Sequence, residues 1–207
     1  MWFSKRFCVA QRRGLWIVAA CIWASGIVGG MLLLAWHDAS PGFVEPAPTR
    51  WPTGSQIALA ERVATLVMFA HPHCPCTRAS LGELEKLVAR RAGLVDCWVV
   101  FFRPAETNQG WEESDLFTAA TSMPGVRVLS DVDGNEARRF HVSTSGHTVL
   151  YGSDGELLFS GGLTFARGHA GDNAGRSAIE SLLVHSTSPT HQTPVFGCPI
   201  LVSDERQ

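Results

Sequence analysis

Hydrophobic positions follow two regimes along this chain. The first is continuous. Residues 15–36 carry no charge. As a helix they would extend about 33 Å, enough to cross a bilayer core of about 30 Å. Trp16 and Trp36 stand near its ends, where interfacial aromatics belong. The second regime begins at Thr65 and consists of short periodic segments. Apolar 66–70 predicts a buried strand. Residues 78–91, with Leu81, Leu84, Leu87 and Val88 on one face, predict a helix. The near-continuous apolar run 95–102 suits a central parallel strand covered on both faces. A weaker helix follows over 112–122, then a strand over 126–129 and a short helix over 135–140. Strands over 148–151 and 157–160 flank the turn residues Gly152-Ser153-Asp154-Gly155. Residues 176–185 predict the last helix.

That order predicts an α/β domain, a mixed sheet with helices on both faces, behind one N-terminal transmembrane helix. The divisions are 1–14 before the span, 15–36 the span, 37–55 a linker, 56–185 the domain and 186–207 a tail. Residues 40–53 hold Pro41, Pro46, Pro48 and Pro52, which predicts an extended, semi-rigid tether rather than packed structure. Residues 56–64 read as a short helix. The proline-bearing tail is expected to wrap the surface.

Charge sets an orientation. Lys5, Arg6, Arg12 and Arg13 precede the span, and His37, Asp38 and Glu45 follow it. The positive-inside rule places the N-terminus in the cytoplasm and the domain outside, on the periplasmic side of the inner membrane. A cleaved signal peptide is the rival reading. The span is long for that, and Ala35-Trp36-His37-Asp38-Ala39 is a poor cleavage site. The chain has 17 basic and 19 acidic residues, a net charge of -2. With no long basic run, it lacks the footprint of a nucleic-acid binder.

The candidate chemistry lies in His71-Pro72-His73-Cys74-Pro75-Cys76, between the first strand and the first domain helix. A helix N-terminus stabilises a thiolate, and Pro75 suits the first helical position. Cys74 then sits at or near the N-cap. Of the six cysteines, only Cys74 and Cys76 are close in sequence, so this is no disulfide scaffold. Cys97 reads as a core residue. Cys198 reads as a packed or free thiol; the alternative is a tail that folds back to pair it with Cys74. The loop 167–175 reads as a helix-capping loop lining the site through His169 and Asp172. Residues 131–135 read as a turn, not a calcium loop.

This arrangement resembles the thioredoxin fold over residues 65–184. The resemblance rests on Val67-Met68-Phe69 before Cys74-Pro75-Cys76, on Phe140-His141-Val142-Ser143, and on the 148–151 and 155–159 stretches. Within that superfamily the chain is similar to the bacterial membrane-anchored RedB-type proteins. By resemblance, Cys74 would be the attacking thiolate and Cys76 the resolving thiol, with protein thiols or disulfides outside the cytoplasm as partners and no cofactor. Two departures stand out. Thioredoxins carry two residues between their cysteines, whereas this chain carries Pro75 alone. His147 occupies the place of their cis-proline. A cis bond there would cost about 3 kcal/mol, so a trans backbone is expected. That substitution is expected to bring an imidazole to the thiols, with His73, His147 or His71 taking the proton.

Two other functions compete with an oxidoreductase. Cys74, Cys76 and His147 would suit Cu(I) or Zn(II), as in a periplasmic metallochaperone, with His71, His73 or Cys198 as a fourth ligand. A peroxidase is the third reading. It is weakened because His71 stands where peroxiredoxins carry Thr or Ser.

Overall fold

The structure is a computed structural model. It describes residues 3–200, with side chains from Gly14 onward. The basic side chains at 5, 6, 12 and 13, on which the expected orientation rests, and the tail from Leu201 lie outside the described residues. The chain forms two compact units, residues 1–39 and 40–207. The first is a single helix, α1 (Phe3–Ala39). Its segment Gly14–Ala39, of mean hydropathy 2.2, is long and apolar enough to cross a membrane.

The second unit follows the predicted order. It comprises β1 (Ala64–Ala70), α2 (Pro75–Arg90), β2 (Val95–Arg103), α3 (Asp115–Thr121), β3 (Val126–Val132), α4 (Asn135–Arg139), β4 (His147–Tyr151), β5 (Leu157–Gly162) and α5 (Ala174–His185). The sheet has five strands in the order β3-β2-β1-β4-β5. β1, β2 and β3 run parallel, and β4 and β5 are antiparallel additions to the β1 edge. β1 and β2 are apolar on both faces because both faces are covered.

On one face, Leu81, Leu84 and Leu87 of α2 pack with Leu116 of α3, Ile179 of α5 and Leu66, Met68 and Val99 of the sheet. The opposite face is covered by α4 and by the segment before β1. Phe140, Ile57 and Ala47 are buried there against Val67, Phe69 and Tyr151.

That segment differs from expectation. It is extended, but it packs. Trp51 meets Phe140 and Tyr151 edge-on, at 5.1 and 5.2 Å between ring centroids. The Tyr151 hydroxyl donates to the Pro48 carbonyl at 2.8 Å, and Gly42 N–H donates to Val195 O at 2.8 Å. The prolines supply straight chain, and Trp51 and Ala47 supply the apolar surface that holds it down. The short helix expected over 56–64 does not form. Ile57 is buried, and the segment's polar groups bond to the domain. Ser55 Oγ and Gln56 N–H donate to the Glu136 carboxylate, and Ala60 N–H donates to Thr65 Oγ1.

Candidate functional site

β1 delivers the chain into a tight turn, in which Cys74 N–H donates to His71 O at 3.1 Å. α2 then starts with Pro75 in its first turn and Cys74 as N-cap, in extended conformation at φ -87° and ψ 116°. Proline loses no bond there, and its fixed φ suits the first helical position. The turn is braced from behind. Ser145 Oγ accepts from His71 N–H at 2.9 Å and lies 2.7 Å from Thr77 Oγ1. Gly146 N–H donates to Phe69 O at 2.7 Å. Gly146 has φ +86°, and a Cβ there would stand 2.9 Å from Ser80 Oγ. Only glycine therefore satisfies both the backbone and the close approach.

The third cysteine comes from the far end of the chain. Cys198 Sγ lies 2.8 Å from Cys74 Sγ, the two being 124 residues apart in sequence. Both are free thiols, as are Cys76, Cys97 and Cys21. The tail that carries Cys198 is bound into the domain rather than laid over it. Ser145 N–H donates to Cys198 O at 2.8 Å, and Ile200 N–H donates to Ser143 O at 2.7 Å. Val195 and Ile200 are buried on either side. Gly197 presses flat against the Ser145 carbonyl, leaving no room for a side chain.

The three sulfurs differ electrostatically. Burial opposes ionisation of Cys74, but the polar groups of Cys198 and Thr77 outweigh it and hold the thiol below its ordinary value. The α2 N-terminus acts in the same direction. Burial and the neighbouring Cys74 push Cys76 up, against the pull of Arg167. Burial and Cys74 push Cys198 up to about 12. Cys74 is therefore the sulfur that ionises first. Cys97 is fully buried in the core, as expected, and burial drives its thiol far above the normal range.

Arg167 is the functional residue that sequence reasoning missed. Its guanidinium donates to Gly197 O at 2.5 Å and to Ser40 O at 3.2 Å. Its charge acts on both Cys76 and Cys198. The loop 167–175 does cap a helix: Asn173 Oδ1 accepts from Arg176 N–H at 2.8 Å at the start of α5. It meets the sulfurs through Arg167, however. His169 Nδ1 instead lies 2.8 Å from Arg167 O, and Asp172 pairs with Arg176. Glu83 of α2, fully buried, holds the loop from below. It accepts from Gly171 N–H at 2.9 Å and from Asn173 Nδ2 at 3.4 Å, and it pairs with Arg176 and Lys86. An arginine in a glycine-rich loop has no local pattern that marks it.

The histidines take other places. His73 N–H donates to His71 Nδ1 at 3.2 Å. The His73 ring meets Trp111 edge-on at 4.6 Å, and the His71 ring stacks on Phe102 at 6.0 Å. Burial, and then the neighbouring His73, lower the His71 pKa. His147 opens β4 and is fully buried. Its Nε2 lies 2.8 Å from Ser160 Oγ, and its Nδ1 has no partner. Burial lowers its pKa to about 4. None of the three imidazoles hydrogen-bonds to a sulfur. The backbone at His147 is trans, and the described residues contain no cis peptide bond. Among the described residues, no group of three or more His, Cys, Asp or Glu side chains is arranged to hold a metal ion. The expected set Cys74, Cys76 and His147 forms no such group, and the imidazole Nε2 lies against Ser160 Oγ. Asp131 accepts from Glu136 N–H and Ala137 N–H; the turn expected over 131–135 is confined to Asp133 and Gly134, between β3 and α4.

No protein-family model matches the chain, and no curated protein matches it. Solved structures do. An uncharacterised conserved protein from Geobacillus kaustophilus is 20% identical with a TM-score of 0.58, covering 80% of this chain and 94% of its own. A hypothetical protein from Sinorhizobium meliloti 1021 is 20% identical with a TM-score of 0.53, covering 78% and 93%. The thioredoxin domain of a thiol-disulfide oxidoreductase from Bacteroides vulgatus is 17% identical with a TM-score of 0.42, covering 70% and 98%. The fold of the second unit is thioredoxin-like.

Proposed function

We propose that this chain is a membrane-anchored thiol–disulfide oxidoreductase whose reactive sulfur is Cys74. One observation carries the reading. A thiol with a lowered pKa caps a helix and sits 2.8 Å from a second thiol. Thiolate character sets which cysteine attacks, and a second thiol within reach lets the mixed disulfide resolve. Cys76, the other half of the Cys-Pro-Cys pair, is a further thiol of the same site. The substrates are protein thiols or disulfides. The apolar span of α1 anchors the chain in the inner membrane, with the N-terminus in the cytoplasm and the domain on the periplasmic side, where disulfides persist. In this reading it resembles RedB-type thioredoxin-like proteins. His73 and His147 serve in this reading as packing and positioning groups rather than proton acceptors, since their bonds go to His71 and Ser160.

The test is a redox titration of the full chain in detergent, prepared with chelator. Free thiols are counted across a glutathione series. A reversible two-electron transition, absent in Cys74→Ser and intact in Cys97→Ser, is the expected outcome. Thiols that stay free across the series would defeat the reading. Protease added outside intact cells should digest the domain, and full protection would reverse the topology.

A further inference from the structure

A sulfur from the far end of the chain lies against Cys74. Cys76 follows one residue after Pro75, within the first turn of α2. Its side chain also interacts with that of Cys74, and Pro75 fixes the backbone between them. Cys198 arrives from the opposite side, at 2.8 Å. Its position is held by the Ser145–Cys198 and Ser143–Ile200 backbone bonds, by the Thr144–Pro199 bridge, and by Arg167 on the Gly197 carbonyl. Two backbone bonds, which together form the Thr144–Pro199 bridge, and one arginine contact hold one thiol on the other.

Access sets the direction of approach. Cys74 is 1% exposed, covered by the tail. Cys198 remains partly open. Of these two sulfurs, a thiol from outside therefore meets Cys198 before Cys74.

Resting on the oxidoreductase reading above, we propose that Cys74 and Cys198, not Cys74 and Cys76, are the sulfurs that cycle between dithiol and disulfide, with Cys198 facing the substrate. When the pair is a disulfide, one thiolate of a substrate dithiol attacks Cys198 Sγ. The Cys74–Cys198 bond breaks, and Cys74 leaves with the electron pair as a thiolate at the α2 N-terminus. Low-pKa thiols are the better leaving groups. The second substrate thiolate then attacks its own partner sulfur in the mixed disulfide. Cys198 departs with that electron pair and takes up a proton. The substrate dithiol has become a disulfide and the protein disulfide a dithiol, two electrons having passed inward. Cys76 stays a thiol throughout.

Peptide mapping of the full chain in detergent separates the alternatives. After equilibration in oxidising glutathione and blocking of free thiols, trypsin releases Cys74 and Cys76 together on peptide 63–78 and Cys198 on peptide 177–206. The expected product is the two peptides joined, separating on reduction. The link should persist in Cys76→Ser with an unchanged midpoint and be lost in Cys198→Ser. A disulfide confined to peptide 63–78, with the transition retained in Cys198→Ser, overturns this inference and leaves the oxidoreductase reading standing. A link lost in Cys76→Ser overturns it too, by assigning the bond to Cys76 and Cys198. No reversible disulfide in any form defeats both. If Cys198→Ser fails to fold, the wild-type and Cys76→Ser maps still decide.

Discussion

The most direct test of the tail's role is Gly197→Ala. A Cβ at residue 197 would collide with the Ser145 carbonyl oxygen and stand 2.8 Å from its carbon. A relaxed carbon–carbon contact is about 3.5 Å, so the tail must retreat by roughly 0.7 Å or more. Overpacking of this kind costs about 1–3 kcal/mol. At about 2–4 °C per kcal/mol for a domain of this size, Tm should fall by roughly 2–12 °C. The retreat also moves Cys198, the next residue, away from Cys74. A displacement near 1 Å can slow an aligned reaction about 100-fold. Reduced full chain in detergent would be mixed with oxidised glutathione, and formation of the 63–78 to 177–206 link followed by acid quench. A drop of about 10- to 100-fold, with a lowered Tm, is expected. An unchanged Tm together with an unchanged rate would refute the claim that contact with Ser145 positions the sulfur. Gly82→Ala supplies the control, because a Cβ there meets nothing within 4 Å.

Three further outcomes follow from the same geometry. Gly82 lies inside α2, so Gly82→Ala should stabilise the domain by about 0.8–1 kcal/mol in chemical denaturation; destabilisation would mean that its space is occupied. Arg167→Leu removes the charge that lowers Cys76 and the bond to Gly197 O. Cys76 should then alkylate more slowly at pH 8 and Tm should drop; unchanged kinetics would remove Arg167 from the site. His147 has a folded pKa of about 4 against 6.5 for the free group. Between those values the unfolded chain binds a proton that the buried ring refuses. Stability should therefore fall as pH drops from about 6.5 towards 4 and flatten below. His147→Gln should remove part of that slope, the rest arising in part from His71, whose shift has the same sign. An identical slope in the variant would show that the ring titrates normally.

Much of this protein was legible before any coordinates. An uncharged apolar run has the length of a membrane span whatever surrounds it. Period-two and period-3.6 patterns mark strands and helices, since each element must bury one face. Pro75 after Cys74 marks a helix start, because proline costs no hydrogen bond there. Those signals are local, and they carried the element order, the mixed sheet and the position of the Cys-Pro-Cys pair at the head of α2. Boundaries moved by a few residues. The helix expected over 56–64 failed because Glu136, some 80 residues on, takes the polar groups of Ser55 and Gln56.

What tertiary structure alone decided is which distant groups meet. A proline-rich stretch reads the same whether it floats or packs; Trp51 against Phe140 and Tyr151 makes it pack. The sequence brought the His147 imidazole towards the thiols; in the fold its Nε2 lies against Ser160 Oγ, on the paired strand β5. Arg167 became part of the site only when the tail brought Gly197 beneath it. Cys198 lies 124 residues from Cys74, and no spacing rule spans that gap. Periodicity reports the face that each segment buries, but not the segment that covers it. The pairing of those two sulfurs depends on a strand edge, a buried Val195 and a glycine small enough to lie on Ser145. These are properties of the closed fold rather than of any stretch of chain.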